Sequence, residues 1–263
     1  MKKYIYIFKT TLIDNLQYVF NLVCGFIGFF IMIFIFLNLW KYVYSDPNEL
    51  INGYNLNQMI WYAIVTEIIY KLSSNKVVST ELIKDIKNGN IAYNLNKPYN
   101  YIMYVMSRFY GNALVITIIG VVIGCLTGIL FVGPLDGFRF VSIPFFAIVA
   151  FLGVTISALI YLIIAMLSFF MEDSHPFNWI YKKVLIVLGI LFPVEFFPKA
   201  IQPIIKMSPV YVVTYGPAVL LINFNMDMFW KILLAQGIYL VVLVLIVSLV
   251  YRKGVKKLNV NGG

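Results

Sequence analysis

The chain has 263 residues, 62% of them hydrophobic and only 12% charged, with a mean hydropathy of +0.89. Soluble domains carry about a quarter charged residues, so this composition excludes a soluble globular protein and points to a polytopic membrane protein. Six crossings of about 20 residues would use nearly half of the chain and leave no room for a soluble catalytic domain. A net charge of +9 does not signal nucleic acid here, because the basic residues sit at the ends of apolar runs, where a membrane explains them.

Residues 4–20 read as an amphipathic helix lying in the membrane interface. Ile5, Phe8, Leu12, Leu16 and Val19 recur at helical spacing, and Lys3, Thr10, Asp14 and Gln17 mark the other face. Met1-Lys2-Lys3 faintly resembles the start of a signal peptide, but Lys9, Asp14, Asn15 and Gln17 interrupt the apolar run behind it and no small-residue cleavage site appears, so no cleavage is expected. A first span is expected at 22–40. Next come a polar loop at 41–55 containing Asp46-Pro47, and a second span at 56–72 containing Glu67.

A polar island comes next at 79–98 and continues to Arg108. Read as a helix, its first part pairs Glu81 with Asp85 and Lys84 with Lys87 on overlapping faces, with Leu82, Ile83 and Ile86 as an apolar side. Asn88-Gly89 should stop that helix and Pro98 should close the stretch. It reads either as a solvated loop or as a short docking helix for a soluble partner. Further spans are expected at 110–132 and 141–170, joined by the turn Gly133-Pro134-Leu135-Asp136-Gly137, then a polar loop at 171–183. A fifth span, 184–197, runs into a proline-broken region whose segment 198–217 is expected to be re-entrant. A sixth span, 228–250, precedes a basic tail.

With the amino terminus inside, all of the 20 Lys and Arg except Lys41, Arg139, Lys199, Lys206 and Lys231 fall on one side. This bias places both termini and the island in the cytoplasm and favours an even number of spans. Trp40, Tyr42, Tyr44, Trp61, Trp179, Tyr181 and Trp230 lie near span ends and read as an interfacial belt.

Gly120, Gly124 and Gly128 share one face of the third span and invite a close helix neighbour, in this chain or another. Glu67 is the one acid well inside a span. It reads as a structural pair with Lys71 four residues on, or as a transport group. Pro193, Pro198 and Pro209 interrupt apolar sequence around Glu195, with Ile201, Ile204 and Ile205 keeping helical spacing; broken helix at membrane depth belongs where protein or a cavity surrounds it. Cys24 and Cys125 are expected to be buried free thiols. His175, the sole histidine, cannot build a multi-histidine metal site, and its loop with Glu172 and Asp173 reads as solvated. No GxxxxGK[ST] loop occurs, so energy must come from a gradient or a partner.

The chain resembles the permease subunits of bacterial type-2 ATP-binding-cassette (ABC) exporters. Three features carry the resemblance: the interfacial helix and the six spans after it; Ile86-x2-Gly89-x-Ile91-Ala92-x2-Leu95-x-Lys97-Pro98 after the second span; and Pro193-x4-Pro198-x2-Ile201-x2-Ile204-x4-Pro209 before the last. It implies an all-α polytopic membrane protein with six transmembrane helices, an amphipathic N-terminal interfacial helix, a cytoplasmic coupling helix between spans two and three, and re-entrant helices between spans five and six. It further implies a non-catalytic chain without cofactors of its own, working with a second permease copy or a related permease. Two copies of a separate ATPase would carry ATP and Mg. Glu81, Lys84, Asp85, Ile86 and Gly89 would couple to that ATPase, and Pro193, Glu195, Pro198 and Pro209 would form the outer gate. Substrate would pass along the second and fifth spans, with Tyr62 and Glu67 on the path. The expected cargo is a drug or antimicrobial peptide, and the expected site is the bacterial plasma membrane. The competing readings are a gradient-driven carrier using Glu67 as its proton site, against which no inverted repeat or midplane set of ionisable residues is seen, and a non-transporting scaffold or immunity protein.

Overall fold

The computed structural model describes residues 2–46 and 48–261. The expected loop proline Pro47, Met1, the last two residues of the basic tail, and the side chains of Val19 and of residues 258–261 lie outside the described residues. The chain folds as α1 Lys2–Gln17, α2 Val19–Cys24, α3 Ile27–Val43, α4 Leu56–Ser73, α5 Leu82–Lys87, α6 Asn90–Leu95, α7 Tyr101–Val132, α8 Ser142–Met166, α9 His175–Leu185, α10 Gln202–Lys206, α11 Gly216–Ile222 and α12 Met226–Asn261. π-helical turns at Val77–Glu81, Ile186–Ile190 and Tyr211–Tyr215 bridge some of these, and the described residues contain no strand.

Among the described residues, four helical runs are long and apolar enough to cross a membrane: Phe20–Val43, Tyr101–Val132, Ser142–Phe169 and Met226–Lys257. The other two expected spans are built differently. The segment expected at 56–72 is the 18-residue α4, which carries Asn57, Gln58, Thr66, Glu67 and Lys71 and is buried along most of its length. It is the inner helix of the bundle, packed by α3, α7, α8 and α11, so it tolerates polar residues that a lipid-facing helix would not. A capping box starts it: the Asn55 side chain accepts from the Gln58 N–H at 2.8 Å and Gln58 accepts from the Asn55 N–H at 3.2 Å. The segment expected at 184–197 is not one helix. Helix continues from α9 only through Ile190, and after Pro193 a single 3₁₀ turn, Val194–Phe196, remains. Proline supplies no N–H and clashes with the preceding turn, so the run stops there.

Other boundaries also move. The helix expected at 4–20 ends at Gln17, and Tyr18 separates it from α2. The third crossing begins nine residues earlier than expected. The Asn100 side chain caps α7 by accepting from the Met103 N–H at 3.1 Å, so Tyr101–Arg108 belong to the helix rather than to the island. At 32 residues α7 is about 48 Å long, well beyond a hydrocarbon core of about 30 Å, and one end must stand outside the membrane. The 36-residue α12 does the same with Arg252, Lys253, Lys256 and Lys257. The stretch expected to end at 217 is cut differently: Pro217 lies inside a helical run, Tyr211–Ile222, immediately after the π-helical turn Tyr211–Tyr215.

The glycine face finds its neighbour within this chain. A Cβ added at Gly120 would lie 3.2 Å from the Ile68 side chain, at Gly124 2.7 Å from Ile68, and at Gly128 2.6 Å from the Trp61 ring. Trp61, at 8% exposure, and Trp40 and Tyr44, at 2% and 4%, are therefore core residues and not belt anchors, whereas Tyr42, Trp179 and Trp230 are exposed as anchors would be. Cys24 and Cys125 are unpaired as expected but exposed rather than buried.

Replacing Gly128 with leucine should force α4 and α7 apart and lower stability by about 1–3 kcal/mol, the usual cost of overpacking. Thermal unfolding of the detergent-solubilised protein measures this, and a Trp61→Ala change in the same chain should recover part of the loss.

Candidate functional site

Two polar assemblies stand at opposite ends of α4. At the end holding Ser73, the polar island folds into a compact platform. The π-helical turn Val77–Glu81 leads into α5, and Gly89 takes a left-handed φ of 72° that stops α5 and turns the chain into α6. Leu82, Ile83, Ile86 and Ile91 point inward and are buried, packing the platform against α8 and the 3₁₀ turn Leu167–Phe169. This apolar underside matches the periodicity of the sequence.

Ties to four other elements hold the platform from its edges. Glu81 pairs with Arg108 of α7 at 2.8 Å, and the Tyr101 hydroxyl donates to Asp85 at 3.1 Å. Lys87 reaches Asp173 at 3.0 Å, and the Asn178 amide of α9 donates to the Ser79 carbonyl. From α1, Lys3 donates to the Pro98 carbonyl and the Tyr4 hydroxyl accepts from the Asn100 N–H at 2.8 Å. Deeper in, a chain of amides links three elements: Asn75 donates to Asn112 at 2.7 Å and Asn112 donates to Asn15 at 2.6 Å. Gly111 lets α1 cross closely, since a Cβ there would lie 2.8 Å from the Phe8 carbonyl oxygen.

Of the residues singled out from sequence, Glu81 and Asp85 are thus engaged within the chain and Ile86 is buried beneath them. Lys84 and Gly89 are exposed, and with Asn88, Asn90 and Tyr93, which is 70% exposed, they form the outward edge of the platform. Arg108, Asp173 and Asn178 were not anticipated. A lone arginine at the polar end of a long apolar helix could have flagged Arg108; nothing local marks the other two.

The opposite end holds the proline segment. Glu195, in the 3₁₀ turn Val194–Phe196, accepts hydrogen bonds from the Tyr215 hydroxyl and, at 3.5 Å, from the Tyr54 hydroxyl. Burial first, then the nearby Glu195 charge, raises the Tyr54 hydroxyl well above its ordinary pKa, so it stays a donor. Tyr54 in turn offers its carbonyl to the Tyr44 hydroxyl at 2.7 Å. Trp40 lies edge-on to Phe192 and Phe196, on either side of Pro193 in sequence. Pro198 ends the turn, Gln202 ties back to the Phe197 carbonyl at 2.9 Å, and Pro209 precedes the π-helical turn Tyr211–Tyr215.

Tyr62 and Glu195 come together through Tyr215: the Tyr62 and Tyr215 rings are 6.4 Å apart, and the Tyr62 hydroxyl donates to the Gly189 carbonyl at 2.8 Å. Glu67 is not part of this cluster. It is 6% exposed, and among the described residues it makes no ion pair or hydrogen bond. The expected Glu67–Lys71 pair is not formed, because Lys71 instead donates to the Gly25 carbonyl at 3.0 Å and lies over the Phe26 ring. Among the described residues no cluster of three His, Cys, Asp or Glu could hold a metal ion.

A bundle of long apolar helices around a polar inner one, with a polar assembly at each end, defines a polytopic helical membrane protein. Compared with known families, residues 8–262 match the ABC-2 family transporter protein, and the chain belongs to that family. Chains of this family are generally non-catalytic membrane subunits. A search of curated proteins gives no match.

Tyr215→Phe removes a donor from a charged acceptor and should cost about 1.5–3 kcal/mol in thermal unfolding, more than Tyr54→Phe with its longer contact. The Asp173 carboxyl is held below the usual carboxylate range, chiefly by the His175 N–H and next by Lys87. Its folded pKa being depressed, its contribution is present above the unfolded value of about 3.9 and is lost as pH falls through the lower folded value. A carboxyl NMR titration should find that midpoint below the ordinary one, with Lys87→Met moving it upward and leaving part of the depression from His175.

Proposed function

We propose that this chain is the permease half of an ABC exporter in a bacterial plasma membrane, with both termini and the platform in the cytoplasm. Six crossings, with α4 and the α9 to Ile190 run as the second and fifth, are consistent with the charge bias. Two permeases and two copies of a separate ATPase, which holds the ATP and Mg, complete the transporter. The observation that carries this reading is the platform. A short helix pair at a membrane protein's polar end is braced to α1, α7, α8 and α9 at once, so a push on it reaches the bundle as a rigid displacement. Within it Lys84, Gly89 and Tyr93 meet the ATPase, while Glu81, Asp85 and Ile86 hold the surface in place. Closure of the ATPase dimer rocks the bundle toward an outward-open state, with the segment around Pro193, Glu195, Pro198 and Pro209 as the outer gate. The cargo, a drug or antimicrobial peptide, leaves the cytoplasm between the two permeases, past the elements bearing Tyr62 and Glu67.

One observation favours a second reading. A carboxylate as buried and unpartnered as Glu67 is what a gradient-driven carrier would use as its proton site.

Purification of the full chain from its native cells, with mass spectrometry of retained proteins, separates the two. Wild type should retain an ATPase with a Walker motif, and Lys84→Glu with Tyr93→Ala should retain at least about tenfold less, a loss of about 1.4 kcal/mol. Retention unchanged in the variant would move the docking surface elsewhere. Absence of any ATPase from wild type, with proton flux in vesicles abolished by Glu67→Gln, would overturn the exporter in favour of the carrier.

A further inference from the structure

The helices α7 and α8 are consecutive in sequence yet barely touch. Their contact is at Tyr110, whose ring stacks on Phe151 with centroids 5.4 Å apart and whose hydroxyl bonds to Thr155 at 2.9 Å. Beyond that point they diverge. From Tyr110 to Gly133 α7 runs about 35 Å, whereas α8 covers only about 20 Å from Thr155 back to Ser142. The divergence has a cause: the first half of α8 packs away from α7, with Val149 in a cluster with Leu220, Phe229 and Ile232, and Phe145 against Phe224 and Phe229.

A cleft of about 860 Å³ is left between α7 and α8, lined also by Ile64 and Ile68 of α4 and by Pro134, Leu135 and Phe138 of the 133–141 turn. Its walls are almost wholly hydrocarbon, so water inside would find few of the two to four polar partners it needs. An empty cleft would forfeit dispersion contacts along its whole lining. The outer faces flanking it, among them Leu126, Leu130 and Ile148, are exposed, so it opens toward the surrounding bilayer. Arg139, next in sequence to the lining Phe138, is exposed, and among the described residues no carboxylate pairs with it. The nearest acid in sequence, Asp136, is taken up by the Asn55 amide at 3.0 Å.

An apolar cleft with an unpaired, exposed cation one residue beyond its lining is complementary to an amphiphile with an anionic head. The geometry points to this cleft as a binding site for one bilayer glycerophospholipid, its acyl chains between α7 and α8 and its phosphodiester on Arg139. The site is distinct from the platform and from the Glu195 cluster, and it assigns to the chain a resident lipid that fills the gap α8 leaves when it turns to α11 and α12.

Native mass spectrometry of the full chain, reconstituted in equal parts palmitoyl-oleoyl phosphatidylglycerol and phosphatidylethanolamine and then washed with detergent, tests this. Wild type should keep one phospholipid per chain. Filling the cleft with Ala147→Phe and Ala150→Phe should abolish retention, and Arg139→Gln should weaken it about tenfold, as expected for loss of one charge-assisted contact. A second readout does not depend on the filled variant folding. One equivalent of phospholipid with brominated acyl chains, added in detergent, should quench the Trp61 component of fluorescence, defined as the difference between wild type and Trp61→Phe. No retained lipid in wild type, retention unaffected by filling the cleft, an unquenched Trp61, or a second protein chain in place of the lipid would each overturn the assignment.

Discussion

The close contact between α4 and the glycine face of α7 sets the spacing on which the rest of the bundle depends. Gly120, Gly124 and Gly128 let Ile68, Ile64 and Trp61 approach the α7 backbone closely, so along the glycine face the inner helix is covered by apolar contact. Packing of this kind is the main source of helix association where lipid tails are as apolar as the side chains themselves. Once α4 is fixed, its two ends are fixed too. One delivers Ser73 and the start of the platform, and the other places Asn57 against the Val132 and Pro134 carbonyls, and Trp61 against that of Gly133.

Length then becomes a means of transmission. Both α7 and α12 exceed the thickness of a hydrocarbon core, and their overhanging ends meet the parts of the chain that lie outside it. Arg108 projects from the overhang of α7 to Glu81, and Lys257 from that of α12 lies over Phe170. Individually such half-exposed contacts are worth no more than about 1 kcal/mol. Their value is geometric, because several of them, with the buried Ile83 and Ile91, tie the platform to more than one helix.

At the far end the problem is the opposite one. Proline-broken backbone has unpaired carbonyls and must be enclosed to persist at membrane depth. The chain encloses it with aromatic rings and ties it down with side chains: Gln202 returns to the Phe197 carbonyl, and Gln236 of α12 donates at 2.8 Å to the Val212 carbonyl and at 2.8 Å to that of Val149 in α8. Glu195 gathers Tyr54 and Tyr215 from segments far apart in the chain, which locks a region that regular secondary structure could not hold.

Much of this was legible in the residues alone. Composition settled the membrane class, the 3.6-residue period of Leu82, Ile83 and Ile86 settled the buried side of the platform, and Asn88-Gly89 settled where α5 ends, since each rests on a local property of the chain. Pro193 likewise announced the end of a helix, because proline breaks the pattern whatever surrounds it. Partners across the fold were not legible. Glu81 and Asp85 look like a free acidic face until Arg108 and Tyr101 are brought over them. Lys71 has Glu67 at the right helical spacing and takes the Gly25 carbonyl instead. Trp40 and Trp61 have the positions of interfacial anchors and are buried by helices that sequence cannot orient. Periodicity and backbone chemistry are written along the chain, whereas which polar group meets which depends on helix crossings decided by three small glycine side chains and the direction in which α8 turns.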